Sequence, residues 1–482
     1  MVNRRRRNVS VLLILVAFLA FAGAPLPATV AARVAAAPSV TCADIWQIPA
    51  GECQALQSLY SATNGGGWSE NDGWFESTTP CTWFGVTCQS DRITAIELPD
   101  NQLTGSLPGD LDDLSQLETL SLIHNEIGGN LPVSLGNLSQ LKSLVLTDNR
   151  LTGEIPPALV GLIRLRRLEL GSNQLSGSIP VQLANLAHLE VLALGVNELT
   201  GSIPPVLGSM NNLDQLLLNT NQLTGQIPPE LGGMVDLQTL VLAQNQLEGT
   251  IPDQLGALSN LRSLVLSGNQ LVGTIPAILS NLGDLQRLDL SRNHLDGPLP
   301  ASLGQLDNLL TLWLISNKFS GSIPTSLCDL QNLVEADLGF NAFSSADACI
   351  EMAVDRWWFE TQTMPPANLQ AQTMSATQID LSWTPIVYTW DGGFYEVSIR
   401  PPGGTYVVHG TTADKTASQY QVTGLQPGQD YEFSVRTFTP AHVAPPAFQE
   451  NDLWSEAVQV MGQTPPDPGA AVLIHLPVIE VQ

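Results

Sequence analysis

The stretch LRRLELGSNQLSGSIPVQLANL at residues 165–186 decides the fold. It follows the pattern LxxLxLxxNxLxGxIPxxLxxL, in which x is any residue, and this pattern recurs along the chain every 24 residues. The asparagine of the pattern falls at eleven positions: Asn101, Asn125, Asn149, Asn173, Asn197, Asn221, Asn245, Asn269, Asn293, Asn317 and Asn341. Side chains alternate along a strand, so the leucines of LxL lie on one face, and one repeat alone cannot bury them. We therefore expect the repeats to stack as coils of a solenoid around one continuous core.

This period and leucine spacing are typical of a leucine-rich repeat. The expected fold class is an α/β solenoid with a parallel β-sheet on its concave face and 3₁₀ helices or loops on its convex side. Each repeating asparagine turns the chain out of its strand, where the side-chain amide can satisfy buried backbone groups of adjoining coils. The sequence thus predicts a structural asparagine ladder through eleven coils, over residues 93–349.

The GxIP part of each repeat combines a glycine for a tight bend with a proline that suits a strand end. Here the sequence resembles the plant-type leucine-rich repeats of receptor-like kinase ectodomains and polygalacturonase-inhibiting proteins, over about residues 50–349. The resemblance implies a second short strand in each coil. Residues 38–92, with CTWFGVTC at 81–88, are similar to the N-terminal cap of that family. Residues 350–364 are expected to form the C-terminal cap and linker.

The N-terminal cap holds three tryptophans, Trp68, Trp74 and Trp83. An end coil would expose its leucines to water, so a cap is needed at each end of a solenoid. We expect the three rings to plug the end of the core. A sugar-binding site is the alternative interpretation.

Six cysteines suit an exported chain, because disulfides persist in an oxidising compartment. Four precede the repeats and two lie at their end: Cys42, Cys53, Cys81, Cys88, Cys328 and Cys349. The first four allow three pairings, and the sequence alone does not choose among them. We expect bonds between residues 42 and 53, 81 and 88, and 328 and 349. A buried free thiol at Cys328 is the alternative for the last pair.

From residue 365 the chain changes to short alternating segments such as IDLSW at 379–383, which are typical of the strands of a β-sandwich. The segment LQPGQDY at 425–431 resembles the turn before strand F of a fibronectin type III domain. That resemblance implies that the hydroxyl of Tyr431 returns to nearby backbone. We therefore expect an all-β fibronectin type III sandwich over residues 365–464.

The two ends of the chain are predicted to lie outside the folded domains. Four arginines at 4–7, an apolar run at 11–22 and three alanines at 35–37 are typical of a secretory signal peptide over residues 1–37. The apolar run is shorter than the roughly 20 residues of a membrane-spanning helix, and an uncleaved anchor is the alternative. Residues 465–482 are expected to be a Pro-rich linker and an apolar strand, for which a sorting or docking role is one interpretation. The expected location is secreted, extracellular or at the cell surface.

The chain is acidic, with 45 Asp and Glu against 19 Lys and Arg and a formal charge of -26. Phosphate binding needs clustered Lys and Arg, so nucleic acid is excluded as a default partner. A hydrophobic content of 44% favours a large core over disorder. No cofactor is indicated, and no metal site, because no two cysteines have the CxxC spacing of a zinc site.

The residue between the two leucines of LxL points onto the concave face. This central row consists of Glu97, Ser121, Val145, Glu169, Ala193, Leu217, Val241, Val265, Asp289, Trp313 and Asp337. Its apolar stretch from Ala193 to Val265 is not required by the core, and Trp313 follows two coils later. Contiguous exposed apolar residues mark interaction sites, and tryptophan is a common anchor of interfaces. The alternative is that β-branched residues simply suit strands.

Three arginines flank the row: Arg167, Arg287 and Arg292. They are rare cations in an acidic molecule and could orient an anionic partner; the alternative is that single exposed arginines do nothing specific. The predicted function is a non-catalytic scaffold that recognises a protein or peptide on the concave face. A carbohydrate-binding protein or an inhibitor of glycoside hydrolases is the alternative, since the plant-type family includes such inhibitors. A hydrolase is a second alternative, and the sequence indicates no particular oligomeric state.

Two arrangements could support catalysis. Acidic residues of the central row stand two to five coils apart, or about 10–24 Å, beyond the roughly 5–9.5 Å of paired glycosidase carboxylates. Asp100, His124 and Asp148 fall on consecutive coils, with Ser121 three residues before the histidine. A flat solvated sheet offers no oxyanion hole, so we expect a polar patch rather than a catalytic or metal site.

Overall fold

A computed structural model of the chain describes residues 40–346, 349–350, 354, 358–389, 392–401, 403–441 and 451–466. The predicted signal peptide at 1–37 and the predicted C-terminal strand lie outside the described residues. The described part holds a capped solenoid followed by a β-sandwich. It contains no helix with the length and apolar character of a membrane span.

The N-terminal cap consists of one α-helix and a β-hairpin. The helix Ala50–Ala62 is followed by the 3₁₀ helices Gly65–Gly67 and Pro80–Thr82. Cys53, Leu56 and Leu59 of the helix are buried against the first coil. Glu52 is also buried, and its carboxylate accepts from Arg92 and from the backbone N–H of Ile93 at 2.9 Å, which ties the helix to the hairpin.

The tryptophans of the cap close the end of the core. Trp74 and Trp83 are each 2% exposed, and their ring centroids lie 5.3 Å apart. Trp68 packs edge-on against Trp74 at 4.9 Å. Because the rings face the core, they serve as its plug and present no open sugar platform.

The concave face is a twelve-stranded sheet. Its strands in spatial order are Val86–Gln89, Arg92–Glu97, Thr119–Ser121, Ser143–Val145, Arg167–Glu169, Val191–Ala193, Gln215–Leu217, Thr239–Val241, Ser263–Val265, Arg287–Asp289, Thr311–Trp313 and Glu335–Asp337. The first pair is antiparallel and the others are parallel and in register, so that Leu216 lies beside Leu192 and Leu240. Each of these leucines is fully buried, as the alternation predicts.

A second set of short strands follows the ladder asparagines and confirms the strand implied by the LxGxIP motif. One sheet contains Gly128–Asn130, Arg150–Glu154 and Gln174–Ser176. A seven-stranded sheet contains Thr200–Ser202, Gln222–Gln226, Gln246–Gly249, Gln270–Gly273, His294–Gly297, Lys318–Ser322 and Ala342–Ser345.

The convex side is built from 3₁₀ helices that begin after the proline of GxIP. They are Leu111–Asp113, Val133–Asn137, Pro157–Gly161, Val181–Asn185, Pro205–Ser209, Pro229–Gly233, Asp253–Ala257, Ala277–Asn281, Ala301–Gln305 and Thr325–Asp329. Proline fixes φ near the value a 3₁₀ helix needs to start, as at Pro180 with φ of −64°. A further 3₁₀ helix, Trp358–Thr361, follows the last coil.

The β-sandwich packs two sheets around its own core. One sheet contains Ala367–Ser375, Gln378–Thr384 and Gln419–Thr423, and the other contains Val407–Thr411, Phe394–Arg400, Asp430–Thr439, Leu453–Trp454 and Val458–Gln463. The hydroxyl of Tyr431 accepts from the backbone N–H of Gln426 at 2.9 Å, which confirms the expected tyrosine corner.

Three disulfides join the expected pairs. They link Cys42 to Cys53, Cys81 to Cys88 and Cys328 to Cys349, with Cα–Cα distances of 5.7, 5.4 and 6.0 Å. Cys328 is therefore not a free thiol.

Candidate binding surface

The asparagine ladder fixes the position of each concave strand. The Nδ2 of Asn221 donates to the carbonyl of Leu194 in the preceding coil at 3.0 Å and to that of Leu218 in its own coil at 3.1 Å. Its Oδ1 accepts from the backbone N–H of Leu199 at 3.0 Å. The N–H of Leu199 has its partner in this amide, and each of the two carbonyls also accepts from the ladder asparagine of a neighbouring coil, Asn197 or Asn245.

The ladder has one more rung than the asparagines predict. Gln362 is fully buried, and its Oε1 accepts from the backbone N–H of Phe343 at 3.2 Å. Asn341 accepts in the same way from Phe319 at 3.1 Å, one coil earlier. The sequence pattern misses Gln362 because it follows Asn341 by 21 residues instead of 24 and is a different residue type.

The residue before each ladder asparagine has left-handed backbone, and we call these residues the ridge. They are Asp100, His124, Asp148, Ser172, Val196, Thr220, Gln244, Gly268, Arg292, Ser316 and Phe340, with φ between 50° and 67°. The ridge turns the chain from the concave strand into the ladder. It therefore forms one rim of the concave face.

The central row lies on the concave strands as predicted, but it is less exposed than expected. Ala193, Leu217, Val241 and Trp313 are half-buried. Val265 is only 8% exposed. Neighbouring coils pack closely enough that their outward side chains cover one another. The part of the row from Ala193 to Trp313 is therefore a nearly flat surface, which we call the strip.

Asp289 is 4% exposed and makes only internal contacts. Its Oδ1 accepts from the hydroxyl of Ser291 at 2.6 Å and the backbone N–H of Ser291 at 3.2 Å. Its Oδ2 accepts from the hydroxyl of Ser267 at 3.1 Å and from Nη2 of Arg287 at 3.3 Å. The carboxylate has no capacity left for a ligand.

Two of the three flanking arginines, Arg167 and Arg287, are paired with a carboxylate of their own strand. Nε of Arg167 donates to Glu169 at 2.9 Å, two residues along the same strand. Arg287 bonds Asp289 with the same spacing, and its guanidinium carbon lies 4.5 Å from the ring centroid of Trp313. Arg292 lies on the ridge, with φ of 53°, and not on a concave strand.

The predicted polar set around His124 is a solvated patch. Its Nδ1 lies 3.3 Å from Asp100 and its Nε2 lies 3.8 Å from Asp148, and all three side chains are about half or more exposed. Ser121 points from the concave strand and has no hydrogen bond to the histidine. Within the described ranges, no group of three or more His, Cys, Asp and Glu side chains could hold a metal ion.

Two shallow grooves lie away from these residues. A convex groove of about 540 Å³ is lined by glycines and by Pro205, Val206 and Pro229 of neighbouring 3₁₀ helices. A second groove, of about 310 Å³, lies on the outer face of the sandwich between Tyr406 and Arg436. Neither contains a residue of the central row.

The sandwich docks on the ridge near the Trp313 end of the strip. Asn451 is 2% exposed, and its Nδ2 donates to the carbonyl of Asn293 at 2.7 Å, while its Oδ1 meets Nδ1 of His294. Phe340 of the ridge packs edge-on against Tyr388 at 6.0 Å. Sequence patterns carry no signal of this contact, because its partners lie far apart along the chain.

A second part of the junction is buried and polar. The hydroxyls of Thr363 and Thr439, both fully buried, lie 2.8 Å apart. Lys415 is also buried, and its Nζ donates to Thr439 at 3.2 Å and lies 4.6 Å from the ring centroid of Tyr388. The contact between Thr363 and Thr439 joins the segment that follows the last coil to the sandwich.

Three known kinds of domain match parts of the chain. The leucine rich repeat N-terminal domain matches residues 49–89. Leucine rich repeats match residues 235–295 and also 116–138, 140–162, 164–186, 212–234 and 308–330. The fibronectin type III domain matches residues 364–450.

The relatives by sequence include receptor kinases of Arabidopsis thaliana. One probable inactive receptor kinase is 46% identical over 69 residues, which cover 14% of this chain and 10% of that protein. The probable inactive receptor kinase RLK902 is 48% identical over 48 residues, or 10% of this chain and 7% of that protein. The chain thus spans a tenth or less of the length of these relatives.

Two solved structures share the solenoid. The Arabidopsis receptor kinase HAESA, solved in complex with the peptide hormone IDA and the co-receptor SERK1, is 30% identical with a TM-score of 0.54 and covers 67% of this chain and 57% of its own. A plant ice-binding protein is 30% identical with a TM-score of 0.54 and covers 63% of this chain and 99% of its own.

The fold is a leucine-rich-repeat solenoid similar to the ectodomains of plant receptor kinases. The chain belongs to the plant-type leucine-rich-repeat proteins and carries a fibronectin type III domain after the repeats.

Proposed function

We propose that this protein is an exported or cell-surface scaffold that binds an extended protein or peptide segment along its concave face without catalysis. The observation that carries the proposal is the strip from Ala193 to Trp313, which lies on six consecutive concave strands. Its outward apolar side chains are not needed by the leucine core. They offer contact area to a partner.

The dimensions of the strip suit a short extended segment. Six neighbouring strands at about 4.8 Å span about 24 Å. An extended chain rises about 3.3 Å per residue, so about seven residues would cover the strip. Trp313 at one end supplies the kind of large side chain that anchors interfaces.

The comparison with HAESA supports this proposal. That structure is a complex with a peptide hormone, and its solenoid aligns with two thirds of this chain. The three disulfides support an oxidising location outside the cytoplasm.

A selection experiment tests the proposal. Short random peptides displayed on phage are selected on the wild-type protein, and the binding of the enriched peptides is then measured on Leu217→Arg, which places a charge in the middle of the strip. The matched control is Val206→Arg, which introduces the same side chain at a 45% exposed convex position. We expect Leu217→Arg to weaken binding by roughly tenfold or more and Val206→Arg to leave it unchanged. Equal binding to both variants would contradict the proposal.

A further inference from the structure

The concave strip is nearly free of charge although the molecule is strongly acidic. From the fifth to the tenth coil, three outward columns line the face; they begin at Val191, Ala193 and Gly195 and repeat every 24 residues. Arg287 and Asp289 are the two charged residues in these columns, and they bond each other. These three columns are therefore close to neutral, and Arg292 lies beside them on the ridge.

Asp289 is built into the strip as a fixed counter-charge. It accepts four hydrogen bonds, from Ser267, Arg287 and twice from Ser291, at 2.6–3.3 Å. Its carboxylate is buried, and the four hydrogen bonds occupy its acceptor sites, so Asp289 acts on a partner through its charge and not through a direct contact. It lies against the cation and cancels its field.

Arg287 contacts Trp313 as well as Asp289. Its guanidinium carbon lies 4.5 Å from the ring centroid of Trp313, and its side chain is 42% exposed. The Nε atom is buried without a hydrogen-bond partner among the described residues. The guanidinium thus lies over one face of the indole.

We propose that Asp289 is a specificity-determining residue, which neutralises Arg287 so that the strip selects uncharged apolar segments and rejects acidic ones. The inference rests on the proposed function and names the chemistry of its partner. The same arrangement occurs on the fourth coil, where Glu169 neutralises Arg167. A paired arginine and carboxylate therefore lie just before the strip, at Arg167 and Glu169, and a second pair lies within it, at Arg287 and Asp289.

The physical reason is the balance of attraction and desolvation. An acidic side chain reaching Arg287 also meets the carboxylate of Asp289 beside it, and charges interact strongly in a half-buried site. The acidic side chain must also lose its hydration, which is unfavourable. Its attraction to Arg287 is too weak to offset that desolvation, because Arg287 is already paired with Asp289. A basic side chain meets the half-exposed Arg287 itself. The strip then discriminates against charged peptides because they make unfavourable contacts, and not because uncharged peptides make stronger favourable ones.

The test compares the charge of peptides selected by different variants. One random phage-displayed library is selected on wild type, on Asp289→Asn, on Arg287→Gln/Asp289→Asn and on Glu97→Gln. The last variant removes a central-row acid outside the strip. The Asp289→Asn side chain retains an acceptor oxygen, and thermal melts verify that each variant folds.

We expect wild-type peptides to be uncharged and apolar, with binding that changes little with salt. Asp289→Asn should enrich Asp and Glu and bind those peptides roughly tenfold tighter than wild type does, with the gain lost at high salt. The double variant and Glu97→Gln should select as wild type does. If Asp289→Asn selects peptides of the same charge as wild type, this inference is wrong while the proposed function stands. If no variant enriches any peptide, the proposed function fails and this inference with it.

Discussion

The side-chain amide of Asn221 donates to the carbonyl of Leu194 across the boundary between two coils, at 3.0 Å. Replacing Asn221 with Leu leaves the buried N–H of Leu199 without its partner and removes one of the two amide donors from the carbonyls of Leu194 and Leu218. It should lower the free energy of unfolding by about 1–3 kcal/mol. Urea denaturation measures the change. The control Gln222→Leu alters the next, exposed residue and should stay within about 0.5 kcal/mol of wild type. Equal stability of the two variants would count against the ladder.

Val196 on the ridge is a β-branched residue with φ of 58°, a conformation that such residues rarely adopt. Asparagine tolerates left-handed backbone, so Val196→Asn should stabilise the protein by about 1 kcal/mol. The reciprocal change tests the same cause: Gly268→Val, at φ of 67°, should destabilise by about 1–2 kcal/mol. Thermal melts of the pair should shift in opposite directions, and shifts of the same sign would refute strain as the cause.

Asn451 ties the sandwich to the solenoid through Asn293 and His294. Asn451→Ala removes these bonds at a buried junction, so the two domains should move more independently. Small-angle scattering should then show a larger radius of gyration, and calorimetry should resolve two transitions more clearly. Thr423→Ala, at an exposed position of the sandwich, serves as the control. Unchanged scattering for Asn451→Ala would mean that its contacts do not hold the domains together.

Tyr395 is fully buried, and its hydroxyl donates to the carbonyl of Lys415 at 3.0 Å. Burial raises the pKa of Tyr395 above its ordinary value. The unfolded chain loses this proton near pH 10 while the folded sandwich retains it, so stability should fall as the pH rises above about 10. Urea midpoints between neutral and alkaline pH measure the slope. Tyr395→Phe should be less stable at neutral pH and show a shallower alkaline loss, and an identical slope would exclude Tyr395 as the source.

Much of the solenoid was predictable because its repeats encode it directly. The 24-residue spacing located the concave strands and ladder asparagines, and LQPGQDY located the tyrosine corner. Gln362 was missed because a longer side chain reaches the equivalent carbonyl from a different spacing.

The state of individual surface residues was not predictable in the same way. The burial of Asp289 depends on Ser267 and Arg287, which come from two different coils. Alternation along a strand predicts the face on which a side chain lies, but it does not predict which neighbouring side chains bury it. The docking of the sandwich depends on contacts between residues more than a hundred positions apart, for which the repeat pattern carries no information.

Photo-cross-linking of a selected peptide tests the central claim most directly. A peptide enriched on wild type carries a benzophenone at its centre, and mass spectrometry maps the protein residues it joins. We expect cross-links to the concave strands between Ala193 and Trp313, and their loss with Leu217→Arg. Cross-links concentrated on the convex groove at Val206, or on the outer face of the sandwich, would contradict a concave binding site.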